Sequence, residues 1–154
     1  MATPTNLANI YSAGLWNVGS YQCSGMPYAT GSIDVQSYGA AGVKIEFPYV
    51  TSWIQIYNLS NTPVNVAFSQ NGLQNNNYFT LRRAYNAVKG GRVNNNTSRL
   101  PLKVTEVWLS GSALGNTANA QYVDIVAGLT YIPTGQVTAV SPSGSNWSGS
   151  VGVG

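Results

Sequence analysis

Short runs with a two-residue period recur along the chain, and the clearest pair occupies residues 51–69. In the second half of this stretch, Val64, Val66 and Phe68 alternate with small or polar residues, which predicts a half-buried β-strand. The first half carries large residues on both parities, which predicts a central strand whose two faces are covered or partly covered. Pro63 cannot donate to a ladder and suits a turn between them. The sequence therefore predicts two strands joined as a hairpin.

Eight runs of this kind are separated by turns that contain glycine, asparagine or proline, and no stretch keeps a helical period over three turns. Eight short strands at this spacing predict an all-β, antiparallel fold, either a two-sheet sandwich or a barrel. The predicted strands are 33–36, 43–47, 53–59, 64–69, 78–82, 102–109, 122–132 and 136–140.

Two of these strands carry further detail. The apolar phase switches within 102–109, from Leu102 and Val104 to Val107 and Leu109, and a bulge near residues 105–106 would reconcile the two phases. In 122–132 the apolar alternation is unbroken, and Gly128 on the opposite face predicts a bend or a close backbone approach.

The chain of 154 residues is one domain by size and long enough to bury a core without disulfides. Glycines and Pro27 interrupt the short apolar pieces of residues 1–31, which we expect to form an extended N-terminal arm. The sandwich then occupies 32–141, and residues 142–154 form a Gly/Ser-rich C-terminal tail. The first residues lack a basic start followed by an apolar run, so no signal peptide is predicted.

The composition argues against several kinds of catalysis. The chain has no histidine and one cysteine, so it lacks the usual base for a serine or cysteine nucleophile and the ligands for a catalytic zinc. Four acidic residues remain, of which Glu106 and Asp124 could form a glycosidase-like pair if their strands were neighbours. We expect instead that they balance basic side chains. The sequence thus predicts a protein that is not an enzyme and holds no cofactor or metal.

Six of the seven basic residues lie in or beside the segment 83–99, which we interpret as a long irregular loop without acidic residues. Such a loop could neutralise phosphates of a nucleic acid, or it could contact an acidic protein surface. Only Tyr85 lies inside it to stack on bases, which argues against readout of single strands.

A carbohydrate-binding sandwich is an alternative, because an aromatic side chain can offer a flat face to a sugar ring. The aromatic residues considered for this role are Trp53, Tyr57, Trp108 and Tyr131. Aromatic residues in strands more often pack in the core or across strands, so core packing is the competing interpretation for each.

A resemblance to known proteins rests on the arm, the tail, the low charge and three runs: IQIYNLSNTPVNVAFSQNGLQNNNYFTL, LKVTEVWLSG and VDIVAGLTYIPTG. In these features the chain resembles small single-jelly-roll structural proteins of viruses and phages. The proteins in question are minor capsid, penton and decoration proteins. The resemblance implies a jelly roll, a location in the virion, and a function in assembly, with other capsid subunits as partners and a homo-oligomer as the expected state.

The resemblance also implies that the arm and the tail reach neighbouring subunits while the basic segment faces an acidic partner or the genome. Low charge suits such contacts, since few charges need desolvating; only 7% of the residues are charged and the net charge is +3. The expected partner-binding residues are Tyr11, Trp16, Arg82, Arg83, Lys89, Arg92, Arg99 and Trp147. A lectin-like or receptor-binding head remains the alternative function.

Overall fold

A computed structural model describes residues 18–19, 25–35, 41–60, 62–82, 84–86, 91–93, 95–111 and 121–136, with backbone alone at 84–86 and 91–93. Ten strands and one short helix lie in this part of the chain. The strands are β1 (Met26–Asp34), β2 (Val43–Glu46), β3 (Tyr49–Asn58), β4 (Val64–Ala67), β5 (Phe79–Leu81), β6 (Ala84–Asn86), β7 (Gly91–Val93), β8 (Asn95–Asn96), β9 (Glu106–Gly111) and β10 (Tyr122–Pro133). The helix α1 spans Gln70–Gln74, and a 3-10 turn spans Thr134–Gln136.

Eight of the strands form two four-stranded antiparallel sheets, which confirms the predicted all-β sandwich. Sheet I has the order β1-β10-β3-β8, and sheet II has the order β2-β9-β4-β5. Strands β6 and β7 form a separate two-stranded ribbon. As predicted, β3 is a central strand, because β10 pairs with one of its edges and β8 with the other.

The core lies between the two sheets. Inward-facing residues alternate with half-buried or exposed ones along β3, β4, β9 and β10, as a period of two requires. The side chains buried in this cluster include Ile54, Ile56, Val64, Val66, Val107, Leu109, Val123, Ile125 and Ala127. Full burial of an aliphatic side chain stabilises the fold by about 1.5–3 kcal/mol. A core of this size accounts for a stable sandwich without disulfides.

The predicted hairpin at residues 51–69 is wrong, because β3 belongs to sheet I and β4 to sheet II. The chain therefore crosses from one sheet to the other where a tight turn was expected. Asn58, which is 1% exposed, organises this corner. Its Nδ2 donates to the carbonyls of Thr62 (2.9 Å) and Leu81 (3.1 Å), and its Oδ1 accepts from Ser60 N and Oγ (2.9 and 2.6 Å). This buried amide ties the end of β3 to β5 of the opposite sheet.

The bulge predicted near residues 105–106 is also wrong. Strand β9 begins only at Glu106, and the preceding residues continue from β8 along the same edge of β3, where Thr51 Oγ1 donates to Leu102 O (2.6 Å) and Thr51 N to Val104 O (3.0 Å). The chain then leaves sheet I for sheet II at Thr105, whose carbonyl accepts from Phe47 N (2.9 Å). The switch in apolar phase therefore marks a crossover between sheets.

Several boundaries differ from the sequence prediction. Strand β1 begins at Met26, inside the range expected to be an extended arm, and pairs with β10 across a bulge between Thr30 and Ile33. The connection between the predicted strands 64–69 and 78–82 contains the helix α1. A register shift lies between Gly128 and Leu129, consistent with the expected bend at the glycine. The predicted last strand, 136–140, and the tail lie outside the described residues, apart from residue 136 in the 3-10 turn.

Candidate functional site

Two of the basic residues that the sequence groups in or beside one loop, Arg82 and Arg99, have different surroundings in the structure. The segment 83–99 contains the β6–β7 ribbon and β8, so the prediction of a wholly irregular loop is wrong. Arg82 follows β5 of sheet II, whereas Arg99 contacts the outer face of sheet I. Arg82 also touches sheet I through its carbonyl, which accepts from Asn95 Nδ2 of β8. Tyr11, Trp16, Arg83, Lys89, Trp147 and the side chain of Arg92 lie outside the described residues.

Arg99 covers one of the aromatic faces considered for sugar stacking. Its guanidinium carbon lies 4.6 Å from the centroid of the Trp53 ring, a cation–π contact. Trp53 points outward from sheet I, because its neighbour Ile54 is buried in the core. A sugar ring could reach this face of the indole only by displacing Arg99.

Trp108 is engaged on the outer face of sheet II. Its Nε1 donates to Glu106 Oε1 (2.9 Å), and Lys44 Nζ lies 5.9 Å from its ring centroid. Lys44 also pairs with Glu46 (2.5 Å) and Glu106 (3.0 Å). Hydrogen bonds from Glu46 and then Glu106 raise the pKa of Lys44 above its ordinary value. As expected from the sequence, Glu106 balances a basic side chain.

The hypothetical carboxylate pair of Glu106 and Asp124 is excluded by the fold. Their strands, β9 and β10, lie in different sheets. Val107 is buried next to Glu106, and Val123 and Ile125 are buried on either side of Asp124, so both carboxylates point outward from opposite faces. The sandwich core between two such sheets is roughly 10 Å thick, which by itself exceeds the separation in a glycosidase pair of about 9.5 Å or less.

A cleft of about 690 Å³ lies on the outer side of sheet II. Its floor is one row of polar residues, because Asn65 of β4 is opposite both Thr80 of β5 and Ser110 of β9. The wall comes from α1 and the turn after it, and the rim from the ends of neighbouring strands. The wall and rim residues are Pro63, Leu73, Gln74, Asn76, Tyr78, Arg82 and Gly111. We call this feature the sheet II cleft.

The wall of the sheet II cleft is fixed by local hydrogen bonds. Ser69 caps α1 by accepting from Gly72 N (2.9 Å), and Asn77 N donates to Gly72 O (2.8 Å) after the helix ends. Between them Asn76 adopts a left-handed conformation with φ 63°, which asparagine tolerates better than most residues. Buried Leu73 anchors the helix on the sheet. The cleft is therefore formed by ordered backbone.

The sequence prediction did not identify this cleft. The available signal was the run QNGLQNNNY at 70–78, in which a single apolar residue sits among amides next to a tyrosine. That pattern indicates a polar surface turn with one buried anchor. It does not show that the turn folds over Asn65 and Ser110, which lie on strands far apart in sequence.

No group of three or more metal-ligating side chains occurs in the described residues. None of the helices in that part of the chain has the length and apolar character of a bilayer span. Comparison with known proteins finds no matching family model, no matching curated protein and no matching solved structure.

Proposed function

We propose that this protein is a jelly-roll structural subunit of a virus or phage particle, of the minor capsid, penton or decoration type. The pairing order supports a jelly roll: β1 pairs with β10, β2 with β9, β3 with β8, and β4 with β5. These nested pairs alternate between sheets I and II, as in one long antiparallel ribbon wrapped into a sandwich. Viral capsid domains and lectins both use this architecture.

A non-enzymatic role is supported by the state of the carboxylates, all four of which lie in the described residues. Glu46 and Glu106 pair with Lys44. Asp124 Oδ1 accepts from the Ser32 amide (2.7 Å), and Asp34 Oδ1 accepts from the Gln121 amide (3.3 Å). Each carboxylate thus serves the fold, and with no histidine in the chain these acids were the main candidates for proton transfer.

We propose that the outer face of sheet I forms the contact between subunits. By register, Val126 of β10 lies between Ala29 of β1 and Gln55 of β3, which makes an uncharged row three strands wide. The next row places Gly128 beside Trp53. This row carries no charge and loses little solvation when another subunit covers it, while Asp124 and Arg99 lie elsewhere on the same face; we propose a second copy of the chain as the occupant of the row. Location in the virion, with other capsid subunits as further partners, belongs to the same proposal.

Oligomeric state tests this proposal. Light scattering and native mass spectrometry over a concentration series should detect a defined oligomer for the wild-type chain. The substitution Val126→Lys should weaken its association at least about tenfold, because covering an unpaired ammonium group costs several kcal/mol. Gln74→Lys is the matched control, since it adds the same charge at an exposed position on α1.

Circular dichroism should show that both lysine variants remain folded. A wild-type chain that stays monomeric at high concentration would refute the assembly role. An oligomer that is equally stable with Val126→Lys would place the contact on another surface and remove sheet I from the proposal.

The carbohydrate-binding alternative is favoured by a different observation from the one the sequence suggested. Trp53 and Trp108, the two tryptophans considered for sugar stacking, are in contact with Arg99 and Lys44 respectively. The sheet II cleft, in contrast, presents amide and hydroxyl groups around an open volume of the size that small ligands occupy.

A further inference from the structure

The sheet II cleft has a lining suited to a polyhydroxylated ligand. The described residues that line it include three side-chain amides (Asn65, Gln74, Asn76) and three hydroxyls (Tyr78, Thr80, Ser110), and Arg82 is the one charged residue in that set. Amides and hydroxyls both donate and accept, so together they can match the hydroxyls of a sugar ring. The volume of about 690 Å³ lies within the range of small-molecule sites.

The floor of the cleft offers a hydrogen-bond donor that the fold leaves unused. Thr80 Oγ1 donates to Asn65 Oδ1 (2.9 Å), which fixes the orientation of the amide. Within the described part of the chain, Asn65 Nδ2 has no acceptor. The half-buried amide can therefore donate to a ligand without breaking a bond of the fold, which lowers the cost of binding.

Arg82 is the one cation among the described residues of the cleft and is available to an anion. It forms no ion pair with any of the four carboxylates, all of which lie in the described residues. Its guanidinium can bind a carboxylate through two parallel hydrogen bonds, a geometry that lysine cannot reproduce. Arg99 differs in this respect, because it stacks on Trp53 of the opposite sheet.

From these observations we infer that the sheet II cleft binds a saccharide that carries a carboxylate, such as a uronic or sialic acid unit of a surface glycan. The amides and hydroxyls bind the ring hydroxyls, and Arg82 binds the carboxylate. Among the described residues of the lining, one cation and one aromatic residue provide few of the phosphate contacts and stacking platforms that a nucleic acid uses. The same described residues include two apolar side chains, Pro63 and Leu73, which is poor for peptide side chains. This site lies beyond the proposed assembly role and on the other sheet.

Titration calorimetry with purified full-length protein tests the inference. The probes are N-acetylneuraminic acid and glucuronic acid, with glucose and acetate separating the ring from the carboxylate. We expect both acidic sugars to bind at least about tenfold more tightly than glucose, because a hydrogen bond to a charged group contributes about 1.5–3 kcal/mol. Acetate should bind more weakly than either acid, since it lacks the ring hydroxyls.

Two variants connect the binding to the cleft. Arg82→Gln should weaken the acidic sugars about 10- to 100-fold and leave the affinity for glucose unchanged. Arg99→Gln is the matched control and should change nothing. Asn65→Asp keeps an oxygen that can accept from Thr80 but replaces the free donor with a negative charge, so the acidic sugars should again bind at least about tenfold more weakly.

Four outcomes would overturn the inference: no binding of any probe, equal affinity for glucose and the acids, equal affinity for acetate and the acidic sugars, or loss of binding with Arg99→Gln instead of Arg82→Gln. The oligomeric state of the same samples is read separately. Failure of saccharide binding and failure of assembly are therefore distinguishable.

Discussion

Replacing the buried amide of Asn58 by alanine tests how the two sheets are joined. The side chain is 1% exposed and makes four hydrogen bonds, two as donor and two as acceptor. The bond to Leu81 O is fully buried, so its loss costs about 1–3 kcal/mol. The other three bonds are partly buried and open to water, and each contributes about 0.5–1.5 kcal/mol.

Together these losses predict that Asn58→Ala lowers the free energy of unfolding by about 2.5–7.5 kcal/mol. Domains of this kind have a total stability of about 5–15 kcal/mol, so the variant would retain little stability or unfold. Urea unfolding followed by tryptophan fluorescence measures the change. With a slope of roughly 1–3 kcal/mol per molar urea, the midpoint should fall by roughly 2 M.

Asn65→Ala is the matched control for this experiment. It makes the same chemical change in β4 but removes a single side-chain hydrogen bond, from Thr80 Oγ1, at a half-buried position. We expect it to cost about 1 kcal/mol or less. If Asn58→Ala cost no more than Asn65→Ala, the buried amide would not hold the corner between β3 and β5, and our account of that crossover would be refuted.

Two further predictions concern backbone strain and pH. Gly42 has φ 72°, and a Cβ there would lie 2.4 Å from Leu73 Cδ2 and 2.9 Å from Leu109 O, so Gly42→Ala should destabilise the fold by about 2–4 kcal/mol in thermal unfolding. Gly135→Ala, where a Cβ meets nothing within 4 Å, should leave the melting temperature unchanged, and equal effects would contradict this reasoning. The two carboxylates that pair with Lys44 raise its pKa, so its ion pairs stabilise the fold below the ordinary pKa of 10.5 and lose their effect as the pH rises through the raised value. Because Lys44 is partly exposed, Lys44→Met should cost no more than about 1 kcal/mol at pH 8, and urea titrations at pH 8 and 11 should show a smaller difference at the higher pH.

Sequence patterns predicted the strands more successfully than their partners. The alternation at Val64 and Val66 and the double-sided run of β3 gave the correct element type, and both strands have the predicted exposure. The predicted hairpin between them was wrong, because a strand with one apolar face has the same alternation of apolar and polar residues in either sheet. For the same reason, the switch in apolar phase after Leu102 and Val104 was interpreted as a bulge, whereas the chain crosses there from one sheet to the other.

The candidate site shows the same limit. The sequence indicated that Trp53 and Trp108 were worth considering for sugar binding, but it could not show that Arg99 and Lys44 lie against their rings. Those contacts join residues that are far apart in the chain. Only the folded sheets bring them together.

By itself, the sequence determined the all-β class, the inward parity of the core positions, and the lack of any histidine for catalysis, because each follows from local periodicity or composition. Tertiary structure decided which strands pair and where the sheet II cleft forms, since β1 pairs with β10 across most of the chain and the cleft floor joins β4, β5 and β9. These long-range pairings depend on the packing of two sheets around one core, and local sequence carries no record of them.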